Sequence, residues 1–343
     1  MIEKNSLKSN TAIAALLLLA GCESSSSGNS STTGESLDIS GAIFESRSAD
    51  CADYVNSYAA SALDIQNSTS FSADVVITAT DATCTIVSNS VPNHDFNDES
   101  AAFAGGAEGA TISEIDSTLT VTRNPSIAAE ATALSQEIKN GVFLNGVRLD
   151  IISAGCYRPD DTGADQNGDV GIGCGSSADW LLDPLSTTAK FGADLHNAHT
   201  QPEGLYHYHG NPKAMFADDV SYGASPVIGF AADGFPIFGS YFYDSETGSV
   251  RKAESGYTLK SGSREQEGTA ITPPGDYSGR YNQDWEFTDA GDLDACNGMT
   301  VDGQYGYYVI DAYPWVMGCI SGTPDTSFGT AGDGTDRPPP PGA

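Results

Sequence analysis

The sequence predicts a mainly β fold, a sandwich-like single domain with short helical segments and disulfide cross-links. Three observations predict it. Short runs of β-branched and aromatic residues recur along the chain, broken by Gly, Asn, Asp and Pro. Only one stretch, "SIAAEATALSQEIK" (126–139), has helix-forming composition over any length. Of the 7 cysteines, six lie beyond residue 50, and no CxxC pair is present that would favour a thiolate metal cluster.

The chain begins with Lys4 and Lys8, followed by the apolar run "TAIAALLLLA" (11–20), too short to span a bilayer as a mature helix. It closes on "LAGC", with small residues before Cys22, the pattern a lipoprotein signal peptidase requires. Residues 1–21 are therefore expected to be a lipoprotein signal peptide and Cys22 the lipid-bearing first residue, joining the protein to a membrane. Glu23, not Asp, follows that cysteine, which points to an outer-membrane lipoprotein of the cell envelope. Residues 22–38, rich in Ser, have almost nothing apolar to bury and read as a flexible tether.

A β-rich extension is expected over 39–83, with "ADVVITAT" (73–80) as a strand. "STLTVTR" (117–123) is another. "GVFLNGVRLDII" (141–152) predicts a hairpin about Asn145-Gly146. "PVIGFAADGFPIFGSYFY" (226–243) predicts two buried strands joined at Asp233-Gly234, and "GQYGYYVI" (303–310) a further strand. Residues 323–343 end in "DRPPPPGA", a Pro-rich tail expected to be disordered. In an oxidising compartment Cys51, Cys84, Cys156, Cys174, Cys296 and Cys319 would form disulfides. Fifteen pairings are possible, and the sequential one (51–84, 156–174, 296–319) is the simplest.

The formal charge of −31 makes nucleic acid and anionic membrane surfaces poor partners. A solvated acidic surface accounts for it. No motif names a protein partner. There is no P-loop, Rossmann fingerprint or GxSxG elbow. "DDTGADQNGDVGIG" (160–173) places Asp165, Asn167 and Asp169 at the alternate spacing of a calcium loop, but lacks its central Gly and closing Glu. Calcium there is a weak expectation.

The strongest chemical signal is "HNAHTQPEGLYHYHG" (196–210), which holds four of the five histidines. On an extended strand, His207 and His209 share one face while Tyr206 and Tyr208 share the other. Two imidazoles at that spacing can converge on one ion, and Pro202 and Gly204 form a turn able to fold "HNAH" back over the strand. His199, or His196 three residues before it, then supplies a third ligand. Asp194 and Gln201 are placed to fix an imidazole tautomer. Three histidines suit Zn²⁺ or Cu²⁺ better than Ca²⁺ or Mg²⁺. A multicopper oxidase would need several HxHG motifs, and this chain has one.

"GLYHYHG", preceded by "HNAHTQP" and followed by "IGFAADGFPIFG", resembles the bacterial YHYH domain family. Further blocks run in order from "IVSNSVPNHDF" (86–96) through "GVFLNGV", "DWLLDPL" (179–185) and "LDACNG" (293–298) to "YPWVMGCISG" (313–322). The resemblance implies a YHYH-like domain over 84–322, supports Cys296–Cys319 pairing, and adds His94 as a candidate ligand. Two departures stand out: Ala295 replaces a typically acidic residue, and "GYYVI" lacks the histidine of a Tyr-His-Tyr segment.

The expectation is an exported, lipid-anchored protein that binds Zn or Cu through His199, His207 and His209. His94, His196 and Asp233 are secondary contributors, Asp233 as a carboxylate orienting an imidazole. A metal-dependent hydrolase with Asp233 or Asp194 as base is the first alternative. An adhesion or carbohydrate-binding module with structural histidines is the second.

Overall fold

Two β-sheets built on opposite burial patterns carry the fold. In a computed structural model of the chain, the described residues are 36–98, 112–188, 192–201, 203–265 and 271–329, and they belong to one compact unit. Residues 1–21, Cys22, most of the tether, Pro202 and the Pro-rich end lie outside them. No helix among the described residues is long and apolar enough to cross a membrane.

The first sheet is β1 (Leu37–Asp38), β2 (Asn56–Asp64), β3 (Thr69–Ala79), β4 (Thr83–Ser88) and β5 (Ser117–Thr122), in that order. Its strands alternate. Ala73, Val75 and Ile77 of β3 are buried, as are Cys84 and Ile86 of β4 and Leu119 and Val121 of β5, while Val76 and Val87 face solvent. One wet face and one dry face follow from that period of two. The sheet crosses residue 84, so the segments on either side of it share one layer.

Downstream come β6 (Thr132–Ala133), β7 (Gly141–Phe143), β8 (Arg148–Leu149), β9 (Cys156–Tyr157), β10 (Asp169–Val170), β11 (Ala198–Thr200) and β12 (Tyr206–Tyr208). Then follow β13 (Val227–Ala231), β14 (Pro236–Phe238), β15 (Tyr241–Asp244), β16 (Ser249–Lys252), β17 (Tyr257–Leu259), β18 (Trp285–Phe287), β19 (Gly298–Val301), β20 (Gln304–Tyr308) and β21 (Cys319–Ile320). Eight of these form the second sheet, in the order β11-β12-β8-β7-β13-β14-β20-β19. Its central strands β7, β13 and β14 are buried at every position. They therefore read as continuous apolar runs rather than alternating ones. The expected turns are both present, with Gly146 at φ 79° between β7 and β8 and Gly234 at φ 89° between β13 and β14.

One continuous core joins the sheets. Ser88 of β4 donates to the Gly146 carbonyl at 2.7 Å, and Phe96 packs on Tyr206 with ring centroids 5.2 Å apart. The mainly β, disulfide-linked architecture is as expected. The helix-prone stretch 126–139 is not helical. Ile127, Ala131, Leu134 and Ile138 do fall at helical spacing, but Ile127 and Ala131 are exposed, and Thr132–Ala133 instead pairs with Cys319–Ile320. Composition and spacing alone do not offset helix nucleation in so short a segment when a distant strand takes up its backbone. The only helical segments described are short 3₁₀ turns such as Cys51–Tyr54.

The disulfides are Cys51–Cys84, Cys156–Cys174 and Cys296–Cys319, the sequential pairing. Cys156–Cys174 closes a separation of 18 residues over a small satellite core with Leu181. By loop-closure entropy such a bond is worth about 3 kcal/mol. A Cys156→Ala/Cys174→Ala variant is expected to unfold at correspondingly lower urea, measured without reductant. An unchanged midpoint would mean that the loop is held by its other contacts.

Candidate metal centre

Local pairing assembles a histidine trio at one edge of the second sheet. Strands β11 and β12 form an antiparallel hairpin in which His199 lies directly opposite His207 and Ala198 opposite Tyr208. Paired residues point to the same side, so His199 and His207 share a face, and His209 follows two residues on. The turn is closed by Gly204 N–H to the Gln201 carbonyl and Gln201 N–H to the Leu205 carbonyl, each 2.8 Å. Gly204 has φ 95°, and a Cβ there would sit 2.4 Å from Ser113 Oγ, so no other residue fits.

The three rings face one another through Nε2. His207 Nε2 is 3.0 Å from His209 Nε2, which is 3.2 Å from His199 Nε2, and all three nitrogens lie within 4.8 Å. His199 Nδ1 donates to the Gly192 carbonyl at 2.8 Å, which fixes its tautomer and turns the Nε2 lone pair inward. His207 and His209 are almost fully buried and His199 half-buried, so the trio meets solvent on the His199 side. Burial pushes the His199 imidazole down to about 4, against a small opposing effect of the Gly192 carbonyl. Burial, and then the neighbouring imidazoles, push His207 and His209 well below the ordinary histidine range. The rings are neutral near pH 7, the state a metal ion needs.

Distances decide what such a cluster can do. Only His199 has its tautomer fixed, and an Nε2–H on His207 or His209 would make the same separations N–H···N hydrogen bonds. Around an ion bound at 2.0–2.1 Å, neighbouring nitrogens are about 2.9 Å apart at right angles and about 3.3 Å apart at the tetrahedral angle. Two of the three separations, 3.0 and 3.2 Å, fall between these limits, and the third lies within 4.8 Å.

Arg148, absent from the sequence-based set, sits beside the trio. Strand β8 pairs parallel with β12, placing Arg148 opposite His207, and the side chain is 1% exposed. Its charge contributes to the depressed basicity of His207. The available signal was one arginine within the apolar run "GVFLNGVRLDII".

The other candidates lie elsewhere. His94 and His196 pack at a tilt of 48° with centroids 4.1 Å apart, and His94 lies on the tyrosine side of β12. His94 Nδ1 donates to the Asp95 carbonyl at 2.7 Å, so Nε2 accepts from the Tyr208 hydroxyl at 2.5 Å. His196 Nε2 is 3.7 Å from Asp98. Asp194 touches no imidazole of the trio: it accepts from His196 N and Ala198 N through Oδ1, and from Tyr206 Oη and Asn97 N through Oδ2. Gln201 serves the turn through its backbone. Asp233 accepts from Phe235 N, Tyr307 Oη and Gly322 N, bracing the β13–β14 turn.

At the calcium-like loop, Asp165 accepts from Asn167 N, Asn167 Nδ2 and Asp169 N. Asp169 is committed to Arg280 and to the Tyr281 hydroxyl. Turn chemistry and an internal ion pair thus occupy both carboxylates.

A family model described as YHYH protein matches residues 118–322, more than half of the chain and including the trio and Arg148. The block carrying His94 lies upstream of the matched range. No curated protein and no solved structure matches the chain.

Proposed function

This chain belongs to the YHYH protein family, and from that premise we propose that it binds one Zn²⁺ or Cu²⁺ ion through His199, His207 and His209. The observation that carries the proposal is the convergence of three imidazoles, with His209 Nε2 at ligand spacing from both neighbours and the His199 tautomer fixed by Gly192. Imidazole donors and the want of a carboxylate or thiolate in the trio suit Zn²⁺ and Cu²⁺. Three ligands from one side leave coordination positions for a water or another ligand. We place the protein in the cell envelope as an outer-membrane lipoprotein anchored through Cys22. Three disulfides agree with an oxidising compartment.

A binding role is favoured over hydrolysis. Asp194 and Asp233, the carboxylates considered as bases, are occupied by backbone and tyrosine donors. The test is metal content by mass spectrometry on residues 37–343 without a His tag, compared with a His207→Ala/His209→Ala variant and the less buried His199→Ala. One equivalent of zinc or copper is expected in the parent and none in the double variant. Absence of both metals from the parent, even after incubation with each, would leave the trio as strand architecture.

A further inference from the structure

The trio is arranged as a tripod. Its ring centroids form a nearly equilateral triangle, with His199–His207 and His199–His209 both 4.7 Å apart and His207–His209 4.6 Å apart. The rings are turned against one another by similar angles of 78°, 73° and 71°, like the blades of a propeller. Backbone pairing imposes this shape. His199 and His207 lie opposite each other on the β11–β12 ladder, and His209 follows on the same chain after a two-residue step. The three rings therefore approach a common point from the same face of the hairpin.

An ion 2.0–2.1 Å from each Nε2 lies about 3.2 Å from each ring centre. Two rings at right angles about the ion are then about 4.5 Å apart, at the tetrahedral angle about 5.2 Å, and opposed across it about 6.4 Å. All three pairs fall between the first two values, so no two rings are opposed. We propose that the trio is a facial cap built for Zn²⁺, which engages all three imidazoles alike, whereas Cu²⁺ engages only two of them strongly. This deepens the metal-binding reading and rests on it. Cu²⁺ takes its strong ligands in one plane about the ion. Only two members of a facial cap can lie in such a plane, and the third is left at the weak axial position. Zn²⁺ has no geometric preference from its d electrons and suffers no such loss. Unconstrained nitrogen ligands favour Cu²⁺ over Zn²⁺, so geometry is the means by which this site narrows copper's advantage. The cap also leaves the remaining coordination positions together on the side away from the rings.

The experiment compares Zn²⁺ and Cu²⁺ on the parent and on His199→Ala, which removes the least buried ring of the three. Affinities come from competition with a chelator of known strength. In His199→Ala, zinc affinity should fall roughly tenfold more than copper affinity, because copper keeps two in-plane imidazoles in the variant. Pulsed electron paramagnetic resonance on the copper-loaded parent counts in-plane imidazoles and should find two. X-ray absorption on the zinc-loaded parent should find three equivalent imidazole nitrogens. Circular dichroism on the variant checks folding, and the two spectra of the parent decide the matter without it. Three in-plane imidazoles on copper, fewer than three on zinc, or equal losses of both metals in a folded His199→Ala would overturn the proposal. Binding of neither metal by the parent would overturn the metal reading beneath it, a different result from a metal bound in another geometry.

Discussion

An Asp183→Asn variant is expected to be more stable than the parent by about 4 kcal/mol near pH 8. Asp183 is 1% exposed. Its Oδ1 accepts from Leu185 N at 3.0 Å and Trp315 Nε1 at 2.9 Å, while Oδ2 has no partner. Burial is the main cause that pushes this carboxyl up to about 7; the two donors oppose it and Asp284 adds to it. The folded value lies above the unfolded one, so the native state holds the proton more tightly. The stability that Asp183 contributes is complete below about 3.8 and lost as pH rises through about 7. Three units at about 1.4 kcal/mol each give the expected 4 kcal/mol.

An asparagine keeps both donors to its oxygen and never ionises. The gap between variant and parent should widen by about 2–3 kcal/mol between pH 5 and pH 8. Urea midpoints at both pH values measure it, with Trp315 fluorescence as a local report. A gap independent of pH would show that the folded Asp183 carboxyl ionises at its ordinary value and is not pushed up by burial. The same bond to Asp183 helps hold Trp315 at φ 66°, a left-handed conformation that is costly for a bulky residue.

How much of this was legible in the sequence depends on how local the cause is. The strands over 73–80 and 117–123 and the turns at Asn145-Gly146 and Asp233-Gly234 follow from neighbours within a few residues. The stretch 126–139, helix-forming in composition, is not helical for the complementary reason. Its composition is helical, but the segment is taken up by pairing with β21, far along the chain. Propensity is a weak prior where a distant strand competes.

The site divides the same way. His199, His207 and His209 come together through a hairpin, and the alternation of a strand is enough to separate them from Tyr206 and Tyr208. His94 was an expected ligand, but it approaches from 114 residues away on the tyrosine side. Nothing local in "VPNHDF" says which face of β12 it will meet. Arg148 was missed because its neighbour is set by a parallel pairing of β8 with β12, which neither segment announces. Asp194 was proposed as an imidazole partner on proximity in sequence, and Asp233 on its place in a block shared with the family the chain resembles. Their carboxylates instead satisfy backbone N–H groups at turns, the commoner employment of an aspartate there.

The two tyrosines of the strand should differ sharply when each loses only its hydroxyl. Tyr208 Oη donates to His94 Nε2 at 2.5 Å and accepts from Asn145 Nδ2 at 3.0 Å, within the buried core. Tyr208→Phe leaves His94 Nε2 without its donor and Asn145 with one satisfied N–H, the bond to Asn93 Oδ1 at 3.2 Å. Two buried polar groups stranded in this way cost about 3–4 kcal/mol together. Tyr206 Oη donates to Asp194 Oδ2 at 2.7 Å, but that oxygen also accepts from Asn97 N at 3.1 Å. Tyr206→Phe therefore strands nothing completely and should cost about 1 kcal/mol. Denaturant unfolding of the two variants measures the difference, and equal losses would mean that ring packing, not the hydroxyl, fixes the strand. A Tyr208→Phe/His94→Phe variant refines the point. It removes donor and acceptor together, and should recover part of the loss if the Tyr208–His94 bond is what holds β12 with His207 and His209 on its other face.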